Sequence, residues 1–298
     1  MNPKFLIAFL LAIPVANAGE TKQASASDDS CAEDAGWNDP SPPRHIHGNT
    51  WYVGTCGISA LLITSPDGHV LVDGGTEKAA PLIEANIRAA GFNLRDVRYI
   101  VTSHEHHDHV GGIAQLQRDT GATVVAREPA ASTLELGRSD RNDPQFQSLT
   151  PFPPVTSVRR ISDGETLALG PISLKALATP GHAPGGTSWT WLSCESGRCV
   201  DIAYVDSLTA ISDDDYRFAD EATHPGVIAT FRRTLESVAA LPCDVLVTPH
   251  PSASKLWSRI GPKPTLALID PQACKVYAAA ASTRLDQRIE QENKGSTP

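Results

Sequence analysis

The stretch that most restricts how this chain can fold is Ser103-His104-Glu105-His106-His107-Asp108-His109, placed directly after an apolar strand expected over 97–102. Side chains two apart on extended backbone point the same way, so His104 and His106 can meet one metal ion. The chain then turns toward a helix expected over 110–120, and Asp108 with His109 can face a neighbouring position. Two further histidines sit in rigid loops, Thr179-Pro180-Gly181-His182-Ala183-Pro184-Gly185-Gly186 and Thr248-Pro249-His250-Pro251. Proline restricts the flanking backbone and glycine lets a loop approach closely, which is how a protein fixes an imidazole as a ligand. The sum is five imidazoles and one carboxylate, three protein ligands for each of two zinc ions. Three protein ligands leave coordination positions open, the mark of catalytic rather than structural zinc. Imidazole suits zinc, although ligand type alone does not separate it from iron or manganese. Any fold for this chain must bring three loops, far apart in sequence, to one place.

The remaining pattern supplies a frame for that convergence. Strands are expected over 51–53, 58–64 and 69–72, with Pro66-Asp67-Gly68 as the turn between the last two. Leu82, Ile83 and Ile87 give 80–90 helical spacing, ended by Gly91. Further strands are expected over 123–126, 166–169, 172–178, 188–192, 200–205 and 245–248. Val227, Ile228, Phe231, Leu235 and Val238 share one face of a long helix over about 225–240, and an amphipathic helix closes the chain from about 271. Strands mixed with helices in both halves predict two sheets packed face to face with helices outside. The histidines stand where strands end, the usual address of function in an α/β protein. No linker, low-complexity tract or charge block interrupts 31–298, which reads as one domain.

Composition narrows the partners. Among 298 residues, 25 Lys+Arg stand against 34 Asp+Glu, a formal charge of −9. A nucleic-acid binder needs surplus cations to displace counterions from phosphates, so that class is excluded. Lys4, the apolar run over 5–15 and Ala16-Asn17-Ala18 read as a signal peptide over 1–18, too short to span a bilayer. A polar, flexible lead-in over 19–30 follows. Export to the periplasm is expected, with no membrane attachment once the signal is removed and a monomer as the default state. In an oxidising compartment Cys31, Cys56, Cys194, Cys199, Cys243 and Cys274, which contain no Cys-x-x-Cys pair, are expected to form disulfides. Sequence alone leaves the pairing open, but chain proximity suggests Cys31–Cys56, Cys194–Cys199 and Cys243–Cys274. The middle pair lies between two β-prone runs and would pin a hairpin across its turn.

The run His104-x-His106-x-Asp108-His109, with Leu71-Val72-Asp73-Gly74 before it and Thr179-Pro180-Gly181-His182 after it, resembles the metallo-β-lactamase superfamily. The resemblance implies that family's four-layer αββα sandwich. Gly48-Asn49-Thr50-Trp51-Tyr52-Val53-Gly54-Thr55, residues 179–189, Tyr204-Val205-Asp206-Ser207-Leu208-Thr209 and the His250 loop are similar to subclass B3 of the zinc β-lactamases. The six-cysteine pattern resembles its secreted, carbapenem-hydrolysing members. The resemblance covers essentially the whole chain after residue 18. It implies that His104, His106 and His182 hold one zinc, and Asp108, His109 and His250 a second. It also implies hydrolysis of penicillins, cephalosporins and carbapenems, and hence antibiotic resistance. A zinc pair lowers the pKa of a shared water to about 7, and Asp108 would orient the hydroxide so formed.

Around this core, Asp73 is expected to steady a ligand through the backbone or an imidazole N–H. Ser207 and Thr209 resemble positions that contact the substrate carboxylate, and strand alternation would put both on one face. Gln145, in the loop 138–146, is a candidate rim contact, and Trp37 a candidate cover for the cleft. Relatives often carry a tyrosine soon after the serine; here that stretch is Ile211-Ser212-Asp213-Asp214, which leaves the contribution of Tyr216 open. Glu105, His107 and His224 read as spacers or surface residues, and His45, His47 and His69 lack ligand context. Two other readings remain. A lactonase or hydroxyacylglutathione thioesterase on the same fold would place a bridging carboxylate where Asp206-Ser207 stands. A zinc-storage module would favour closed sites.

Overall fold

The computed structural model describes Met1 and residues 31–295. Apart from Met1, the expected signal peptide over 1–18 and lead-in over 19–30 lie outside the described residues. The first sheet runs β1 (Arg44–His47), β2 (Thr50–Tyr52), β3 (Leu61–Ile63), β4 (His69–Val72), β5 (Val97–Val101), β6 (Thr123–Ala126) and β7 (Val158–Arg160), each beside the next. The second comprises β8 (Thr166–Leu169), β9 (Ile172–Ala178), β10 (Thr187–Glu195), β11 (Arg198–Tyr204) and β12 (Val245–Val247), in the order β12-β11-β10-β9-β8. The helices are α1 (Ala80–Ala89), α2 (His107–Val110), α3 (Ile113–Thr120), α4 (Ala130–Leu136), α5 (Val227–Ala239), α6 (Trp257–Ile260) and α7 (Ala273–Asn293).

Side-chain parity builds the layers. Leu62, Leu71, Ile100 and Val124 stand abreast in the strand register and pack under α1, α3 and α4. Their sequence neighbours Leu61, Val72, Val101 and Val125 point the other way, against Leu174, Trp189, Trp191 and Ile202 of the second sheet. Both faces being buried, these strands read as unbroken apolar runs rather than alternating ones. The outer face of the second sheet, through Ala203 and Leu246, carries α5 and α7 by way of Phe231, Leu235, Tyr277 and Ala281. Three apolar interfaces thus separate four layers, the expected αββα sandwich. Each fully buried Leu, Ile or Val contributes about 1.5–3 kcal/mol to holding them together.

The structure departs from the sequence expectations at the ends of elements. The helix expected over 110–120 is two pieces, α2 and α3, separated by Gly111-Gly112. A Cβ on Gly112 would lie 2.3 Å from the Gly74 carbonyl oxygen, so the chain passes there only as backbone. The segment 205–209 has left the sheet after β11, so alternation does not govern Ser207 and Thr209. Strands β1 and β7 and helices α4 and α6 were not anticipated. Cysteines pair as Cys31–Cys56, Cys194–Cys199 and Cys243–Cys274, and Cys194 faces Cys199 across the β10–β11 hairpin.

Candidate metal centre

Strands β4, β5 and β6 are parallel, and the loops beyond their carboxyl ends face the loops of the second sheet. Hydrogen bonds tie the two halves together: Thr187 N–H donates to the Ser103 carbonyl at 2.7 Å, the Trp189 side-chain Nε1 to that of Thr102 at 2.8 Å, and Ser59 N–H, before β3, to that of Pro249 at 2.8 Å. His104 follows the end of β5, and His106 is still extended (φ −82°, ψ 148°) as it caps α2. Asp108 and His109 then occupy the first turn of that helix. The His182 loop joins β9 to β10, and His250 precedes a 3-10 turn at Pro251–Ser254. A Cβ on Gly186 would come 2.4 Å from the Thr179 carbonyl oxygen and 2.6 Å from Asp206 Oδ2, so a glycine there lets this loop close onto the site.

One nitrogen each from His104, His106 and His182 gather within 4.8 Å of one another. The other nitrogen of each ring is occupied. His104 Nδ1 lies 2.7 Å from Asp206 Oδ1, His106 Nε2 lies 3.0 Å from Asp143 Oδ2, and His182 Nδ1 lies 3.0 Å from the Thr209 carbonyl. A carbonyl or an ionised carboxylate only accepts, so facing these oxygens each of those nitrogens carries the proton and the opposite nitrogen keeps its lone pair. His104 Nε2 is buried with no hydrogen-bond partner. Burial, reinforced by the neighbouring imidazoles, holds His104 well below the usual histidine range and His182 down to about 3. Both are therefore neutral, as ligation requires.

Asp108, His109 and His250 form a second group with the same 4.8 Å limit. Asp108 Oδ2 is 3.1 Å from His109 Nε2 and 3.4 Å from His250 Nε2. The groups adjoin: the rings of His104 and His109 are 4.3 Å apart. Burial opposes charge on Asp108, but the imidazoles outweigh it and hold its carboxyl well below the ordinary range. Burial likewise lowers His109, and Asp108 and Asp73 more than reverse this. Asp73 stands behind the group, accepting from Ser103 N–H (2.6 Å), Ser103 Oγ (2.7 Å) and Tyr204 OH (2.7 Å), with His109 Nδ1 at 3.8 Å.

The other sequence candidates fall around these groups. Gln145 Nε2 reaches to 3.4 Å from His182 Nε2. Thr209 Oγ1 is 2.9 Å from His182 Nδ1, so its hydroxyl and carbonyl face the same ring, and Ser207, two residues earlier in the same segment, is buried. Trp37, 44% exposed, sets its ring 5.6 Å from His107 and 6.2 Å from His250. Tyr216 is buried, stacked on His224 at 3.8 Å, and burial pushes its hydroxyl up to about 12. Glu105 is neither a spacer nor a surface residue. It is 2% exposed, accepts Gly185 N–H at 2.8 Å, and is pushed up to about 7 by burial and by Asp143. It clamps the His182 loop to the segment 104–106. The sequence gives Asp143 no visible role and Asp206 only that of a bridging carboxylate.

The donor set fits a pair of borderline-soft cations. Burial alone pushes Asp73 and Asp206 toward neutrality, a state in which Asp206 would no longer be the pure acceptor that the His104 tautomer needs, and unpartnered imidazole nitrogens on His104 and His109 lie beside them. A dication at each group supplies the charge that this buried carboxylate and imidazole array lacks. Neither group includes Asp206, whose carboxylate is turned to the far nitrogen of His104.

The metallo-beta-lactamase superfamily profile matches residues 53–250. Among solved structures, the metallo-β-lactamase MIM-1 from Novosphingobium pentaromativorans is 48% identical, covering 90% of this chain and 99% of its own, with a TM-score of 0.85. MEM-A1, a subclass B3 enzyme from a soil metagenome library, is 43% identical over 88% of this chain and 100% of its own, with a TM-score of 0.84. The chain spans less than half the length of the first curated relatives that it matches. One is a hydroxyacylglutathione hydrolase of a Bradyrhizobium species, 28% identical over 44% of this chain and 42% of the relative. With the profile spanning most of the fold and subclass B3 structures aligning over nearly their whole length, the chain belongs to the metallo-β-lactamase superfamily, with subclass B3 as its structural kin.

Proposed function

We propose that this protein is a periplasmic, dizinc β-lactamase that opens the lactam amide of penicillins, cephalosporins and carbapenems and so confers antibiotic resistance. The observation that carries the reading is the pair of adjoining donor groups, His104/His106/His182 and Asp108/His109/His250, each with its ligand atoms within 4.8 Å. Bound there, two zinc ions lower the pKa of water to about 7 and polarise a carbonyl oxygen.

The chain's own residues supply the rest. Asp206, Asp143 and the Thr209 carbonyl fix which nitrogen of His104, His106 and His182 faces the centre. Asp108, held ionised by its histidine neighbours, accepts a hydrogen bond from the nucleophile and orients its attack. Asp73 holds Ser103 and faces His109, steadying the first turn of α2. Thr209 and Gln145 reach His182 of the first group, and with Ser207, two residues before Thr209, they would meet the substrate's carboxylate and rim. Trp37 stands over His250 as an apolar wall for the substrate's side chain.

The position of Asp206 supports a lactamase over a thioesterase or lactonase, because its carboxylate braces His104 rather than joining the donor groups. The paired cysteines support an oxidising location, and among the described residues no helix is long and apolar enough to cross a membrane. The test is hydrolysis of a penicillin and a carbapenem, followed by loss of lactam absorbance. Turnover abolished by a chelator and restored by zinc is expected. No turnover of either, with efficient cleavage of a lactone or a hydroxyacyl thioester, overturns the reading.

A further inference from the structure

A second cleft, of about 590 Å³, lies between α7, the turn after His250 and the segment 266–271. Its size is that of a small-molecule site. None of the six donor residues lines it. Two observations make it unusual on this surface. Leu266 and Val276, 47% and 63% exposed, both border it, leaving large apolar side chains in water at one spot. Lys255, Arg259 and Arg284 also border it against one carboxylate, Asp270, a local excess of cations on a chain of formal charge −9.

Arg259 is the built part of the site. It is only 8% exposed, and although one Nη2–H donates to the Leu246 carbonyl, its buried Nε has no hydrogen-bond partner. A buried guanidinium with one donor unpaired and a single nearby carboxylate, Asp270, is short of countercharge, which an oxyanion seated on the cleft side of its head would supply. Lys255 and Arg284 are exposed and, among the described residues, neither is in an ion pair. Tyr277, nearly buried, continues the apolar surface inward. A guanidinium offers paired N–H donors that match a carboxylate, while the apolar border rewards a hydrocarbon body. A polyanion would leave the apolar border unused, and a cation would be repelled.

We infer that this cleft binds a carboxylate amphiphile, its head on Arg259 between Lys255 and Arg284 and its tail along Leu266, Val276 and Tyr277. The site is separate from the metal centre and does not rest on the reading of that centre.

Titration of dodecanoate into the full chain by calorimetry, with zinc and again with a chelator, tests this. One saturable site per chain, unchanged by chelation, is expected. The double reversal Lys255→Glu/Arg284→Glu, at exposed positions, is expected to keep the melting temperature and weaken dodecanoate about tenfold or more. Dodecanol and dodecyltrimethylammonium are expected to bind at least about tenfold more weakly than the acid. Absence of saturable binding, equal binding of the alcohol, or indifference to the double reversal overturns the inference. A dimer that Val276→Glu dissolves would assign this face to a second copy and overturn it as well.

Discussion

The two donor groups are made of nearly the same side chains and are held in opposite ways. His104, His106 and His182 are all buried, and each has its far nitrogen fixed by an acceptor from another segment. In the second group Asp108 and His109 come from one helical turn, while the side chain of His250 is 32% exposed and has Trp37 beside it. The first group is an all-imidazole, pre-aligned cradle; the second brings the one carboxylate among the six and opens toward solvent. Preorganisation favours retention of an ion at the first, whereas the exposure of His250 makes an ion at the second easier to lose. Orientation of a metal site is thus bought with buried acceptors, and access with their absence.

The largest effect that would sharpen this contrast is expected at Asp108, which the account gives a role in the reaction. Asp108→Asn should lower kcat by about 10²–10⁴-fold at saturating zinc. A fall of only a few-fold, measured on a chromogenic lactam, would break the contrast.

A second effect belongs to the two depressed histidines of the buried group. His104 and His182 stay unprotonated in the folded chain, while the unfolded chain takes up protons below about 6.5. Each therefore costs metal-stripped protein up to about 1.4 kcal/mol per pH unit as pH falls below about 6.5, whereas Glu105, Asp73, Asp206 and His109, held above their ordinary values, bind protons more tightly in the folded chain and act in the opposite sense. His182→Gln removes one of the losing groups, so the melting temperature of the chelator-treated variant should fall less steeply than the parent's between about pH 6.5 and about pH 4, and identical slopes contradict it.

Smaller changes are expected from the braces. Asp143→Ala should weaken zinc at the first group by about 10–100-fold and leave the second unchanged, as read by chelator competition. Trp37→Ala, which removes only a ring beside His250, should change KM by about fivefold with kcat nearly constant. Equal weakening of both ions by Asp143→Ala, or an unchanged KM in Trp37→Ala, would erase the distinction between the groups.

The same contrast explains what the sequence disclosed. The gathering of the six candidate ligands was legible because local rules place them: extended spacing for His104 and His106, a helical turn for Asp108 and His109, and proline-glycine loops for His182 and His250. The layers were legible because two-sided burial leaves unbroken apolar runs such as Leu61-Leu62-Ile63. The braces were not. Asp206 meets His104 across 102 residues, Glu105 meets Gly185 across 80, and Asp143 meets His106 across 37. No local pattern marks such pairs, since only the packed sheets bring them together. The missed β1 is a polar edge strand, Arg44-His45-Ile46-His47, with one aliphatic side chain to announce it.

The central claim is that six side chains hold two ions unequally. Native mass spectrometry of the zinc-loaded chain and its His250→Ala variant tests it most directly. Two zinc ions on the parent chain and one on the variant are the expected result. A single ion on the parent, or two retained without His250, would contradict it.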